Sequence, residues 1–473
     1  MTTQKLRKKP IATARTQGAS TAPVAPTMPI KLPAQVVTIE KLVQGGAGLA
    51  RHEGRAMFVK GAIPGETVEV AIAATKKQYQ EATVVRVLEA SPDRVAPTCP
   101  VYGICGGCQL QHLRYDAQVR LKRDTFLETL TRVGKVDLPN PAEIPSVIPS
   151  PQEYGSRAVV RFAVVREGEG LAIGFHREGS TKVVQVTDCP VLPDSLRAVV
   201  KKISSRLATL TKPSCRLASI ELRVSTSTHE VLAIVQTDAK AKRQAEVVLS
   251  LFRGLPGLVG TVVYGAAESR GTRWTEGQEW LAERLDDMLI RISERSFLQS
   301  NWAVNKRLSE AVTQWAVPTL GLRVLELYAG IGTLGLPLAK RGALVTLVEG
   351  NPTALADARR AAEGNHIGRC RFRPVAAEAF MPTATAGEYD LVVLDPPRTG
   401  LTREVLDGVM ALAAPRLLYV SCDPATLARD LARLCASGPG AYRIARLTTF
   451  DMFPQTAHLE ALVELHRVGD VPR

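Results

Sequence analysis

The spacing of apolar positions changes character several times along this chain, and each change predicts a different kind of element. From residue 34 to 90, short β-rich runs (Val36 to Ile39, Met57 to Lys60, Thr67 to Ala73 and Thr83 to Leu88) alternate with turns at Gly45-Gly46, Gly48 and Pro64-Gly65. Strands this short and this closely spaced predict a small β-barrel. Residues 113–135 set Leu113, Val119, Leu121, Phe126, Leu127, Leu130 and Val133 among many charges, which predicts a helix. From about 150 to 290 the chain is strand-rich, in Ala158 to Val165, Leu171 to His176, Lys182 to Val186, Glu221 to Val224 and Val231 to Gln236, as in an α+β domain. Beyond that, Arg323 to Leu327, Leu344 to Val348, Leu391 to Leu394 and Leu417 to Val420 are separated by helical stretches, the grammar of a doubly wound parallel sheet.

A chain of 473 residues with 45% hydrophobic content is too long for one core and too apolar to be disordered. The expected order is a basic tail over 1–30, a barrel over 31–91, a central α+β domain over 92–290 and a Rossmann-like α/β domain over 291–473. Helix 113–135 is placed to pack on the last of these. No run of about eighteen apolar residues occurs, and the N-terminus lacks an apolar stretch that could act as a secretory signal. A cytoplasmic protein without a membrane partner is therefore expected, with a monomer as the default.

The net charge of +14 favours a polyanionic partner, whether RNA, DNA or an acidic membrane surface. Lys5, Arg7, Lys8, Lys9, Arg15 and Lys31 precede the first acidic residue, Glu40, so part of that charge belongs to a solvated tail. An acid-free, Arg-bearing leader also resembles an organelle transit peptide, but its Lys and Pro content and missing apolar face argue against that.

Three of the eight cysteines fall within ten positions, as Cys99-Pro100, Cys105 and Cys108, and Cys189-Pro190 lies far downstream. Such crowding in an intracellular protein argues for a metal site over a disulfide framework. Four thiolates suit either an iron–sulfur cluster or tetrahedral zinc, for which His112 offers a substitute ligand, and spacing leaves the two level.

Residues 324–338 turn from strand to helix through Gly330, Gly332 and Gly335, a bend that lets a ligand approach bare backbone. Many nucleotide folds share such a turn, so alone it says little. The next strand ends in Glu349, about twenty residues on, where a carboxylate can accept hydrogen bonds from ribose hydroxyls. Asp395-Pro396-Pro397-Arg398 follows one strand and Ser421-Cys422-Asp423-Pro424 another, both at the carboxyl edge where open α/β sheets bind ligands. A buried free cysteine is usually a small hydrophobe, which suits Cys215, Cys370 and Cys435; Cys422 differs because it ends a strand beside the glycine turn. Glu460 sits at the mouth of the final strand, Leu459 to Leu465.

Two resemblances organise these fragments. Gly45 to Ala50 followed by Gly61 to Glu66 resembles the TRAM domain, an OB-like RNA-binding barrel, in which Lys60, Lys76, Lys77 and Arg86 would meet phosphates and Phe58 or Tyr79 would offer a stacking surface. Phe297-Leu298-Gln299-Ser300-Asn301, Asp-Pro-Pro-Arg, Ser-Cys-Asp-Pro and Phe453-Pro454-Gln455-Thr456-Ala457-His458-Leu459-Glu460 together resemble the RNA uracil-5 methyltransferase family. That resemblance implies S-adenosylmethionine as methyl donor, Cys422 as a transient nucleophile and Glu460 as base. It further implies Gln299 and Asp395 as positioning groups, Tyr328 and Thr333 lining the cofactor pocket, Glu349 on the ribose and Glu378 beside the adenine.

It also favours a [4Fe-4S] cluster over zinc at Cys99, Cys105, Cys108 and Cys189, and large-subunit (23S) ribosomal RNA over transfer RNA as substrate. The chain departs from the family pattern at Asp423, often Asn, and at Ala329, commonly Cys. Competing readings are a catalytically silent RNA-binding protein, a methyltransferase for exocyclic amines, and a cytosine carbon 5 methyltransferase. The second is weakened by Arg398 in place of an aromatic residue, and the third by the missing Pro-Cys and Thr-Cys pair.

Overall fold

The computed structural model describes residues 35–138, 144–266, 272–438 and 440–469. The basic tail expected over 1–30 lies outside them. Strands β1 (Gln35–Thr38), β2 (Lys41–Leu42), β3 (Gly48–His52), β4 (Arg55–Lys60), β5 (Thr67–Thr75) and β6 (Tyr79–Glu89) form one sheet in the order β1-β5-β6-β4-β3-β2. Its alternating inward residues, among them Val37, Met57, Val59, Val68 and Val70, make a core of their own. Lys60 and Arg86 are ion-paired, with Glu178 at 2.8 Å and Glu69 at 2.9 Å, and Phe58 meets Tyr79 edge-on.

Helix α1 (Tyr115–Arg132) corrects the helical stripe expected from the sequence. Val119, Leu121 and Leu127 are only half-buried and Val133 is exposed, while the buried face runs Gln118, Lys122, Phe126 and Leu130 at four-residue intervals. Two polar residues therefore stand in a core stripe, and their partners lie in the last part of the chain. Phe126 and Leu130 join the core of the C-terminal domain.

The central sheet takes β7 (Val159–Glu167), β8 (Gly170–His176), β9 (Val183–Gln185), β10 (Leu217–Val224), β11 (Val231–Thr237), β12 (Leu258–Tyr264) and β13 (Arg273–Gly277) in the order β13-β12-β11-β10-β7-β8-β9. Helices α2 (Asp194–Ala208) and α3 (Lys242–Ser250) bury Leu196, Val199, Ile203 and Val248 on it. A hairpin, β14 (Trp280–Leu285) and β15 (Met288–Ser293), straddles residue 290 and gives Leu285, Met288, Ile290 and Ile292 to the core of the following domain.

In that domain α4 (Trp302–Ala316) precedes β16 (Arg323–Leu327), α5 (Gly335–Lys340), β17 (Leu344–Val348), α6 (Pro352–Gly364), β18 (Cys370–Arg373), α7 (Ala377–Phe380), β19 (Leu391–Leu394), α8 (Arg403–Leu412), β20 (Arg416–Ser421), α9 (Pro424–Leu434), β21 (Tyr442–Phe450) and β22 (Glu460–Arg467). The sheet order is β18-β17-β16-β19-β20-β22-β21. The first five strands are parallel, and β22 inserts antiparallel beside β20. Successive residues alternate between two cores: Val324, Leu391, Val393 and Leu418 on one face, Leu325, Leu327, Val392, Leu394 and Leu417 on the other. Burial on both faces is why these strands read as unbroken apolar runs. Among the described residues no helix is long and apolar enough to cross a membrane.

Candidate active site

The strand order reverses between β16 and β19, so their carboxyl ends open a crevice. Tyr328 leaves β16 with φ of +62°, Gly330 with +55° and Gly332 with +81°, all left-handed. For a tyrosine this backbone is strained, and its ring stays half-buried at the crevice. A methyl group on Gly330 would meet nothing within 4 Å, so that side of the turn is open, whereas one on Gly335 would fall 2.1 Å from Glu326 Oε2.

Glu326 lies beneath the turn with 2% of its surface exposed, and burial drives its carboxyl well above the usual range, with Asp395 and Glu349 adding to the effect. Gly335→Ala is therefore expected to destabilise the domain by about 1–3 kcal/mol, the cost of overpacking a filled interior. Urea denaturation of that variant would read the loss.

Glu349 follows β17 and accepts the N–H of Gly330 at 2.8 Å on one oxygen and that of Asn351 at 2.7 Å on the other. These bonds fix the carboxylate and leave further lone pairs for sugar hydroxyls. Glu378 opens α7, is exposed, and comes close enough to Tyr328 to raise its hydroxyl electrostatically, after the larger effect of burial. Thr333 lies on the same turn and its carbonyl accepts the Ser309 hydroxyl at 2.7 Å. Gln299 is half-buried just before α4, whose N-cap, Asn301, also donates to Ser150 at 2.9 Å.

Ser421-Cys422-Asp423-Pro424 is a strand-to-helix corner. Ser421 ends β20, Asp423 caps α9 by accepting the N–H groups of Ala425 and Thr426 at 3.0 and 2.9 Å, and Pro424 begins the helix. An asparagine would cap equally well, so the Asp423 departure changes little. Ala329 is buried and apolar. Cys422 is held between strand and cap, partly open to solvent.

In the antiparallel ladder Ser421 pairs with Ala461, so Cys422 and Glu460, one residue further out, stand side by side at the sheet's edge. Asp395, one residue past the Leu394–Tyr419 pair, completes the group. Burial, then the negative charge of Glu460, pushes the Cys422 thiol up to about 12, and the Arg398 guanidinium opposes the shift. Burial and then Asp395 hold the Glu460 carboxyl well above its ordinary value, again against Arg398, while burial takes Asp395 to about 7. Two close carboxyls in a dry site cannot both ionise easily, so they titrate as a pair. In the sequence Arg398 figures as the end of the Asp-Pro-Pro-Arg motif and as a non-aromatic residue; its electrostatic effect on Cys422 and Glu460 emerges only in the fold.

Of the four cysteines, Cys108 directly precedes Gln109, whose N–H donates to the Gln455 carbonyl at 3.1 Å. Charge on Cys108 would push up the thiols of Cys99, Cys105 and Cys189, each already raised chiefly by burial. Among the described residues no three His, Cys, Asp or Glu side chains stand close enough to hold a single metal ion. Backbone N–H groups nevertheless point at sulfur, from Gly107 to Cys105 at 3.4 Å, from Val101 and Tyr102 to Cys99, and from Val191 to Cys189. The His112 ring is occupied by the Tyr102 hydroxyl, 2.5 Å from its Nδ1.

A strained glycine turn with an acidic residue on the neighbouring strand, in this sheet order, defines an S-adenosylmethionine-dependent methyltransferase fold. A solved structure of similar architecture is the Pyrococcus abyssi tRNA (uracil-54, C5)-methyltransferase in complex with S-adenosyl-L-homocysteine, 26% identical with a TM-score of 0.68, covering 91% of this chain and 100% of that one. The chain belongs to the tRNA (uracil-5-)-methyltransferase family, whose model matches residues 142–468, and the TRAM domain model matches residues 34–85. Among its relatives, the 23S rRNA (uracil(1939)-C(5))-methyltransferase RlmD of Shewanella amazonensis is 35% identical, with 90% of this chain and 95% of that protein aligned. The RlmD of Pseudomonas entomophila is 36% identical over 90% of this chain and 92% of its own length.

Proposed function

We propose that this protein transfers a methyl group from S-adenosylmethionine to carbon 5 of a uridine in RNA, with 23S ribosomal RNA as the favoured substrate. The observation that carries this reading is the pairing of Cys422 with Glu460 at one sheet edge, beside Asp395 and the glycine turn. The RlmD relatives favour ribosomal RNA; the Pyrococcus structure, which acts on transfer RNA by its name, is the more distant in sequence.

Carbon 5 of uracil is a poor nucleophile until sulfur adds to carbon 6 and leaves an enolate. Cys422 makes that bond; burial and the Glu460 charge hold its thiol protonated, and the Arg398 charge works against them. S-adenosylmethionine, when bound, supplies an electrophilic methyl group. Glu349 would hold its ribose, Tyr328, Thr333 and Glu378 would line the rest of the pocket, and Gln299 and Asp395 would position cofactor and base. Glu460 then removes the carbon 5 proton, and the sulfur–carbon 6 bond breaks to restore the ring and free the thiol. A stacked uracil cannot reach this corner, so the base is flipped or presented by a remodelled loop.

The four cysteines suit a [4Fe-4S] cluster in a structural role, since N–H groups aimed at sulfur stabilise thiolates. Iron and sulfide analysis of anaerobically purified protein tests this; zinc in their place overturns it. Mapping 5-methyluridine by mass spectrometry across ribosomal and transfer RNA, in cells with and without the gene, tests the function. A missing methyl group in transfer RNA alone would reassign the substrate, and an unchanged map would sink the reading.

The mutual repulsion of the Asp395 and Glu460 carboxylates makes a further expectation concrete. Because both carboxyls are raised, the basic form is gained as pH rises, so kcat should climb through an apparent pKa near or above 7. Asp395→Asn removes the like charge, lowers the Glu460 carboxyl and moves that limb toward acid while reducing the plateau. A pH–rate profile of the two proteins reads both effects.

A further inference from the structure

Between β21 and β22, residues 451–459 form the loop that delivers Glu460. Much of its polar backbone is satisfied from outside the catalytic domain. Gln455 is buried with φ of +68°, a conformation unusual for a residue with a side chain. Its carbonyl accepts N–H groups from Gln109 and Leu110, at 3.1 and 3.0 Å, immediately after Cys108. Its own N–H donates to Gln118 Oε1 at 3.1 Å, and Gln118 Nε2 returns a bond to Gln455 Oε1 at 2.9 Å.

Two further ties flank it. Lys122 donates to Asp451 Oδ1 at 2.7 Å and to the Phe453 carbonyl at 3.0 Å, and Ala457 N–H donates to Gln109 Oε1 at 3.4 Å. The barrel reaches the same place: a methyl on Gly46, whose φ is +87°, would lie 3.0 Å from Gln109 Cβ and 3.2 Å from Ala457 Cβ. Barrel, cysteine-bearing segment and α1 therefore converge on one loop, within a few residues of the carboxylate.

We propose that Gln109, Gln118 and Gln455 form a positioning junction that sets Glu460 for proton removal, so that segments before residue 125 tune the final step of the reaction without touching substrate. This rests on Glu460 being the base. A loop freed from Gln118 would let the carboxylate drift, and misplacement by about an ångström costs as much as ~10²-fold in rate. Binding of RNA and cofactor, and attack by Cys422, would be spared.

The test compares wild type with Gln118→Leu, Gln118→Glu and Gly46→Ala as full-length proteins. For Gln118→Leu the expected result is a fall in kcat of about 10–100-fold with kcat/KM for RNA within about 2-fold, because the slowed step follows methyl transfer. It should also accumulate enzyme–RNA adduct carrying the methylated base, seen on denaturing gels. Amide exchange over 453–460 should quicken. Gln118→Glu keeps an acceptor for the Gln455 N–H but loses the donor to Gln455 Oε1 and the Leu113 carbonyl, so it should recover only part of the rate, whereas Gly46→Ala should reproduce the adduct from the opposite side.

Unchanged exchange in the loop, or a rate loss matched by loss of folded protein with no adduct, overturns the proposal. If loop exchange quickens while wild type itself makes no methyluridine, the junction stands and the assigned reaction is what has failed.

Discussion

Glu460→Gln should leave the enzyme covalently attached to its methylated RNA. In the proposed mechanism the glutamate has no part in the attack of Cys422 on carbon 6; its task begins once carbon 5 carries both the methyl group and its original proton. An amide cannot accept that proton, so the sulfur–carbon bond cannot break and the adduct becomes the end point. Turnover is expected to fall by about 10²–10⁴-fold, the usual worth of a positioned base. A single round of methyl transfer should persist. Cys422→Ala should instead abolish methyl transfer and form no adduct, so the pair of variants divides the reaction at its midpoint.

Single-turnover assays with labelled methyl donor, run beside denaturing gels, separate the two. Loss of adduct in Glu460→Gln would show that the glutamate acts before methyl transfer. The same variant should melt at a higher temperature than wild type at pH 8. A carboxyl whose pKa is raised by burial is harder to ionise in the folded state than in the unfolded one, so above its unfolded pKa it costs stability that an amide does not.

The second large effect belongs to Lys122→Met. The Lys122 ammonium and the Asp451 carboxylate are 1% and 0% exposed and 2.7 Å apart, and the ammonium also bonds the Phe453 carbonyl. Burial lowers the lysine's pKa, and Asp451 works against that shift. Removing the cation leaves a buried carboxylate without its counter-ion, which typically costs about 3–5 kcal/mol.

Replacing both residues, as Lys122→Met with Asp451→Asn, should return most of that loss, because a buried pair is weakly stabilising overall while an orphaned member is strongly destabilising. Thermal melts of the single and double variants give the coupling. A single variant as stable as the double would mean that the pair is solvated in the folded protein.

The catalytic domain was the most legible part of the chain. Arg323–Leu327, Leu344–Val348 and Leu391–Leu394 form strands over the bounds expected, because strands covered on both faces by helices leave continuous apolar runs with polar residues at the ends. Cys422, Glu460 and Asp395 were readable as candidates because each directly follows or opens such a strand. The central domain was less legible. The helical period Leu196, Val199, Val200, Ile203 and Leu207 is present in the sequence, yet the strand-rich reading of 150–290 passed over it and over β12.

Least visible was the role of α1. A lysine and a glutamine at core positions of a helix look like flaws in its apolar stripe until their partners are known. Those partners, Asp451 and Gln455, lie more than three hundred residues away, where no local pattern can point to them. A polar residue breaking a four-residue apolar interval was the one local clue.

That separation carries a consequence for how the protein is made. Gln118 leaves the synthetic machinery 337 residues ahead of Gln455, which at roughly 5–20 residues per second is a wait of tens of seconds. Until then Lys122 and Phe126 lack the partners that they meet in the finished fold. The barrel, with a core of its own, is complete long before that, whereas the catalytic corner waits for translation to pass the loop that closes against α1.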